Sequence, residues 1–157
     1  MTTELASSPA PLTAADIQAF AREWYRLLDE HAPVDRVMAL IAPGKVEFRL
    51  PEATLISADQ VRQWYAGGGG FAGVINVFFD EEHTLQSVQA DPTEDRASAR
   101  VVVSWQARTW RPPSPRSERV AVEADQHWEL VRSAGGQPVI VRYLVDALRA
   151  GPAVREG

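Results

Sequence analysis

Residues Arg119 to Val131 read RVAVEADQHWELV, and their alternation decides the fold. In a strand, successive side chains point to opposite faces. Val120, Val122, Ala124, Gln126, Trp128 and Leu130 therefore share one face, and Ala121, Glu123, Asp125, His127 and Glu129 the other. The first face is apolar except at Gln126. A buried amide without a hydrogen-bonding partner costs about 1–3 kcal/mol, so Gln126 requires a polar side chain, a water or a ligand inside the protein. It is the first pointer to an internal pocket.

Working outward, the segments on either side also alternate. Ala97 to Trp110 places Ala99, Val101, Val103, Trp105 and Ala107 on one face, and Val139 to Val145 returns after the turn Ser133-Ala134-Gly135-Gly136. A hairpin centred on Ala134-Gly135 sets Leu130 opposite Val139, Trp128 opposite Val141 and Gln126 opposite Tyr143. The loop from Arg111 to Arg116 holds three prolines, which cannot sit in a ladder. His83 to Gln89 reads as a further strand, Val74 to Phe79 as a short apolar one, and Asp91 to Asp95 as turn chemistry.

The first half of the chain has a different period. Thr13 followed by Asp16 is close to a capping box, and Ile17, Phe20, Ala21, Trp24, Leu27 and Leu28 form one helical stripe with Tyr25 on its flank. Pro33 ends or restarts that helix, Val37 to Ile41 form a second short one, and Val46 to Leu50 a strand stopped by Pro51. Ser57 caps a third helix, Ala58 to Ala66, which ends at Gly67 in a run of four glycines. Helices first and strands last is an α+β order: three N-terminal helices followed by a mainly antiparallel sheet. The expected domain is 13–148, with a loose N-terminal arm at 1–12 and a C-terminal tail at 149–157.

Composition narrows the function. A net charge of −5 argues against a nucleic-acid partner, and the arginines are scattered among acids. With no cysteine there is no disulfide, thiolate metal site or cysteine nucleophile. No apolar run approaches the roughly 20 residues of a membrane span, and the start lacks a secretion signal, so the expected location is the cytoplasm. One histidine beside an acidic run does not make a metal site, no glycine run is followed by Lys-Ser/Thr, and no cofactor is expected.

The segments VEFRLP, WYAGGGG, HTLQSVQADPTEDRASARVVVSWQAR, DQHWELV and VRYLVD, in that order, resemble the SnoaL-like branch of the nuclear-transport-factor-two-like superfamily. The resemblance spans about Leu12 to Leu148 and is fold-grade. It implies a curved sheet wrapped around helices into a cone, an internal pocket for a small hydrophobic molecule, and frequent homodimers. Members include polyketide cyclases, ketosteroid isomerases, epoxide hydrolases, dehydratases and proteins without chemistry. Tyr25, ten residues before Asp35, matches the oxyanion tyrosine of the isomerases. Leu50 stands before Pro51 where their base is an aspartate, and Gln126 stands where their protonated aspartic acid lies. Arg142 and Asp146 match part of the hydrolase pattern, with Tyr143 at the inner carboxylate position.

His83 matches the histidine of many SnoaL-like members and is the one titratable candidate left for acid–base work. The bland reading makes it a packing histidine at a sheet edge, and it places His31 and His127 toward solvent. The candidate site is therefore His83 and Tyr25 as catalytic groups, with Gln126, Tyr143, Trp105, Trp128, Trp24 and Trp64 around a ligand. The tryptophans also have a plain core role. Two functions fit: a cyclase, isomerase or dehydratase using acid–base chemistry, or a ligand-binding or dimeric scaffold module without catalysis. An outer face carrying Val102, Trp110, Val131, Ile140 and Leu144 points to a homodimer.

Overall fold

Thr13 begins the first helix as its sequence requires. Its hydroxyl accepts from the Asp16 amide at 3.1 Å, and the Asp16 carboxylate accepts from the Thr13 amide at 2.9 Å, which closes a capping box. The computed structural model describes residues 11–92, 96–110 and 112–150. Helix α1 (Ala14–Asp29) buries Ile17, Phe20, Ala21, Trp24, Tyr25, Leu27 and Leu28. Leu12, expected in the arm, is already buried in the core. Helix α2 (Val34–Met38) restarts after Pro33, and α3 (Ala58–Ala66) starts at Ser57, whose hydroxyl accepts from the Gln60 amide.

The six strands are β1 (Lys45–Arg49), β2 (Thr54–Ser57), β3 (Phe78–Pro92), β4 (Ala97–Thr109), β5 (Glu118–Arg132) and β6 (Pro138–Ala150). They form one curved, unclosed sheet in the order β2-β1-β6-β5-β4-β3, antiparallel except where β1 pairs with β6. The α+β cone with N-terminal helices is as the sequence indicated. Strand β2 is an addition, joined to β1 through a tight turn at Leu50–Ala53. Strand β6 runs on to Ala150, and Thr93 to Asp95 lie outside the described residues.

Two expectations are corrected. Val74–Val77 is a single helical turn, α4, rather than a strand, and β3 starts only at Phe78. Valine and isoleucine favour strands, but here the chain leaves a backbone-to-backbone crossing in which a Cβ on Gly73 would lie 2.6 Å from the Gly67 nitrogen. The helical turn brings Val74 and Val77 to the cavity wall described below.

The β5–β6 register is the second correction. Leu130 pairs with Ile140, Trp128 with Tyr143 and Gln126 with Val145. Val141 and Asp146 are each left without a partner, making two bulges in β6. The physical reason is visible at Arg142. Continued without a bulge, the Leu130–Ile140 register would set Arg142 opposite Trp128 on the inner face. The extra residue turns Tyr143 inward and sends Arg142 outward, where it donates to Glu47 and Glu129 at 3.0 Å each. Ile140 is consequently core, fully buried, and Val131 also packs against the core; neither belongs to the outer patch.

Candidate active site

The helices and the inner sheet face enclose a cavity of about 570 Å³. Most of its wall is apolar, with Leu28, Leu50, Phe71, Val103, Val122 and Val145 among the contributors. The polar groups reaching it are Tyr25, His83, Glu81, Gln126, Tyr143, Glu52 and the indoles of Trp64 and Trp105. A largely apolar cavity with a few convergent polar groups is the usual form of a small-molecule site. Trp24 and Trp128, the other two tryptophans of the sequence-derived set, are fully buried behind the wall.

Gln126 has the partners its burial demands. At 2% exposure it donates through Nε2 to the Tyr25 hydroxyl at 2.9 Å and accepts at Oε1 from Trp128 Nε1 at 3.0 Å. Tyr25 and Tyr143 share a 3.3 Å hydrogen bond between their hydroxyls. Since Tyr25 accepts from Gln126, its own proton is free for Tyr143 or for a ligand oxygen. Burial, then the neighbouring Tyr143, holds the Tyr25 hydroxyl well above its ordinary value, and burial raises Tyr143 as well. Both remain hydrogen-bond donors at neutral pH.

His83 is tied to a residue outside the sequence-derived set. Asp29 lies one helical turn beyond Tyr25, so both project from the same face of α1. Its carboxylate accepts from the His83 amide at 3.0 Å and bonds His83 Nδ1 at 2.5 Å. An ionised carboxylate only accepts, so Nδ1 carries the proton and Nε2 keeps a lone pair. The ring is fixed further by stacking on Tyr25, with centroids 4.4 Å apart, and it lies 6.0 Å from Trp105. The arrangement is an oriented base beside a hydroxyl donor, in a largely apolar wall. One signal for Asp29 was available. An acid in the last turn of a helix opposes the helix dipole, so it calls for a partner elsewhere.

The remaining sites sort clearly. Leu50 and Pro51 line the cavity, so the place of the isomerases' base is apolar. Arg142, matched to the hydrolase pattern, faces away from the cavity and holds Glu47 and Glu129. His127 is half-exposed on the charged face. His31, expected to face solvent, is half-buried: its Nε2 lies 2.6 Å from Glu81 Oε2. Among the described residues, no group of three or more His, Asp or Glu side chains is placed to hold a metal ion.

Together, the unclosed sheet, the helices set against it and the cavity between them define a nuclear-transport-factor-two-like, cystatin-like fold. Solved structures of that fold are similar over most of their length. One is a putative scytalone dehydratase from Novosphingobium aromaticivorans DSM 12444, with TM-score 0.65, 17% identity, and coverage of 91% of this chain and 94% of that one. A ketosteroid isomerase-like protein from Erwinia carotovora atroseptica SCRI1043 matches with TM-score 0.63 and 16% identity over 83% and 92% of the two chains. A hexachlorocyclohexane dehydrochlorinase, LinA type 2, matches with TM-score 0.67 and 10% identity over 91% of each. No family model matches the chain, and no curated protein sequence does.

Proposed function

We propose that this protein binds a small, largely apolar molecule in the cavity and moves a proton on it, as an isomerase, dehydratase or cyclase of the SnoaL-like kind. His83 Nε2 takes a proton from carbon next to a carbonyl. Asp29 holds the imidazole and stabilises its charged form. Tyr25, polarised by Gln126 and flanked by Tyr143, donates to the oxygen on which negative charge develops. The observation that carries this reading is the Asp29–His83 pair in the cavity wall. Scytalone dehydratase-like, ketosteroid isomerase-like and dehydrochlorinase neighbours on the same fold agree with it. The reading includes a homodimer in the cytoplasm; no helix among the described residues is long and apolar enough to cross a membrane.

The test is the opening of 5-nitrobenzisoxazole, which needs only a positioned base in an apolar site. Wild type is expected to catalyse it, and His83→Gln to lower the rate by about 10²–10⁴, the range for a general base. Melting of the two proteins within a few degrees of each other excludes loss of fold. Equal turnover by His83→Gln removes His83 from the site. The competing reading, a binding module without turnover, is favoured by Leu50 and Gln126 standing where the resemblance implies acids. Mass spectrometry of the purified protein that finds a bound small molecule, with no His83-dependent turnover, decides for it.

A further inference from the structure

A second acid–base pair reaches the same cavity, and the mechanism above makes no use of it. Glu81 lines the cavity, yet its side chain is only 2% exposed. Its Oε1 accepts from Trp105 Nε1 at 3.1 Å, and its Oε2 lies 2.6 Å from Nε2 of His31. A carboxyl that holds a proton has one O–H donor beside its acceptor positions, so Glu81 can give a proton to an oxygen in the cavity. His31, at the other end of the contact, is 28% exposed. The pair therefore runs from the cavity to the surface.

Backbone geometry shows why these two residues meet. His31 follows α1 with φ at +51°, a left-handed conformation that turns its ring back toward the sheet. In β3, Asp80 has φ at +52°, and the β4 pairing is interrupted between Phe79 and Glu82. Two residues apart along the strand, Glu81 and His83 share a face, with Cα atoms roughly 6.5–7 Å apart at ordinary strand rise. The Trp105 indole, bonded to Glu81 and stacked near His83, spans the gap.

We propose that the Glu81–His31 pair is the acid that complements the His83 base, which makes the substrate class a β-hydroxy carbonyl compound and the reaction loss of water. This rests on His83 acting as the base. His83 Nε2 takes the proton from the carbon next to the carbonyl, and the C–H electron pair becomes the new C=C bond. The bond from the β-carbon to oxygen breaks. The departing oxygen takes the proton shared by Glu81 and His31 and leaves as water. The turnover leaves His83 one proton richer and the pair one poorer; the exposed edge of His31 reloads the pair from solvent, and His83 gives its proton to water when the product departs. Glu81 is the catalytic residue here, and His31 supplies its proton.

Two probes separate the roles. Opening of 5-nitrobenzisoxazole needs the base alone, whereas dehydration of 4-hydroxy-4-phenylbutan-2-one to the enone needs base and acid. Wild type is expected to catalyse both, and His83→Gln to lose both. Glu81→Gln keeps an amide in place of each carboxylate contact, and it should shift the ratio of the two rates against dehydration by about 100-fold, the lower range for a general acid. His31→Gly removes the imidazole at a positive φ that glycine adopts freely. It should shift the ratio the same way, and imidazole added to the buffer should restore dehydration. If Glu81→Gln does not fold, His31→Gly decides by the same ratio and the same rescue. An unchanged ratio in these variants, whether both rates fall together or neither falls, overturns the proposal. Wild type that opens the benzisoxazole without dehydrating the hydroxyketone also overturns it, while leaving the base reading intact. Wild type that does neither removes both.

Discussion

Replacing Gln126 by leucine tests the polar cluster without any assumption about activity. The side chains are similar in size, so the main loss is in hydrogen bonds. Trp128 Nε1 loses its acceptor in a fully buried position, and an orphaned donor there costs about 1–3 kcal/mol. The Tyr25 hydroxyl loses a donor but keeps Tyr143, a net hydrogen bond of about 0.5–1.5 kcal/mol. We expect destabilisation of about 2–4 kcal/mol in urea unfolding, or roughly 5–15 °C in melting temperature for a chain of this length. A double-mutant cycle locates the effect. Trp128→Phe strands the Gln126 oxygen, so the double variant should be less destabilised than the sum of the single ones by about 1–2 kcal/mol. A Gln126→Leu protein within about 0.5 kcal/mol of wild type, the ordinary scatter of a surface change, or an additive cycle, would refute the reasoning.

The chain has three tyrosines, and all of them are held above their ordinary value. Burial first and the charge of Glu81 second push Tyr65 up to about 12. A raised folded value contributes stability that is fully present below about pH 10 and lost as pH climbs through the folded value; for Tyr65 the loss reaches about 2–3 kcal/mol. Absorbance at 295 nm should therefore show no tyrosinate half-point near pH 10 in the native protein, and a half-point there would refute it. On the acid side, Glu129 is held low: burial opposes its ionisation, but hydrogen bonds from Arg96 and Arg142 win. Stability from that group is present above about pH 4.3 and lost as pH falls through the lowered value, so Glu129→Gln should flatten the acid limb of a stability profile. Asp29→Asn should lower benzisoxazole opening by about 10²-fold or more through loss of imidazole orientation; undiminished turnover would separate Asp29 from the base. With Val102, Leu144 and the half-exposed Trp110 on the outer face, sedimentation at tens of micromolar should show a dimer with a Kd on the order of micromolar, and Leu144→Glu a monomer.

Local signals carried the sequence reading furthest. The Thr13 and Ser57 caps and the alternation of Arg119 to Val131 each depend on neighbours in the chain, and each is found as read. Gln126 was legible as a buried polar group because one wrong residue on an apolar face is a local fact. The bulges at Val141 and Asp146 were not legible, since alternation within one strand does not count the residues opposite it. Glu81 sat inside Asp80-Glu81-Glu82, three acids of which any one could have faced inward. Alternation back from His83 selects it once the strand is seen to begin at Phe78. Tyr25, His83, Gln126 and Tyr143 line the cavity, and the acids beside them, Asp29 and Glu81, are placed by contacts between distant elements.

The exit of α1 and the start of β3 trade partners crosswise: Asp29 of the helix meets His83 of the strand, and His31 beyond the helix meets Glu81. Each element contributes one acid and one base, and the order along one is opposed to the order along the other. If α1 docked out of place by that spacing, Asp29 would meet Glu81 in one direction, and His31 would meet His83 in the other. Two carboxylates would then share one dry site, where like charges cannot both remain ionised. The four residues thus act as a key with only one orientation. They fix where the first helix rests on the sheet, whether or not a ligand fills the cavity.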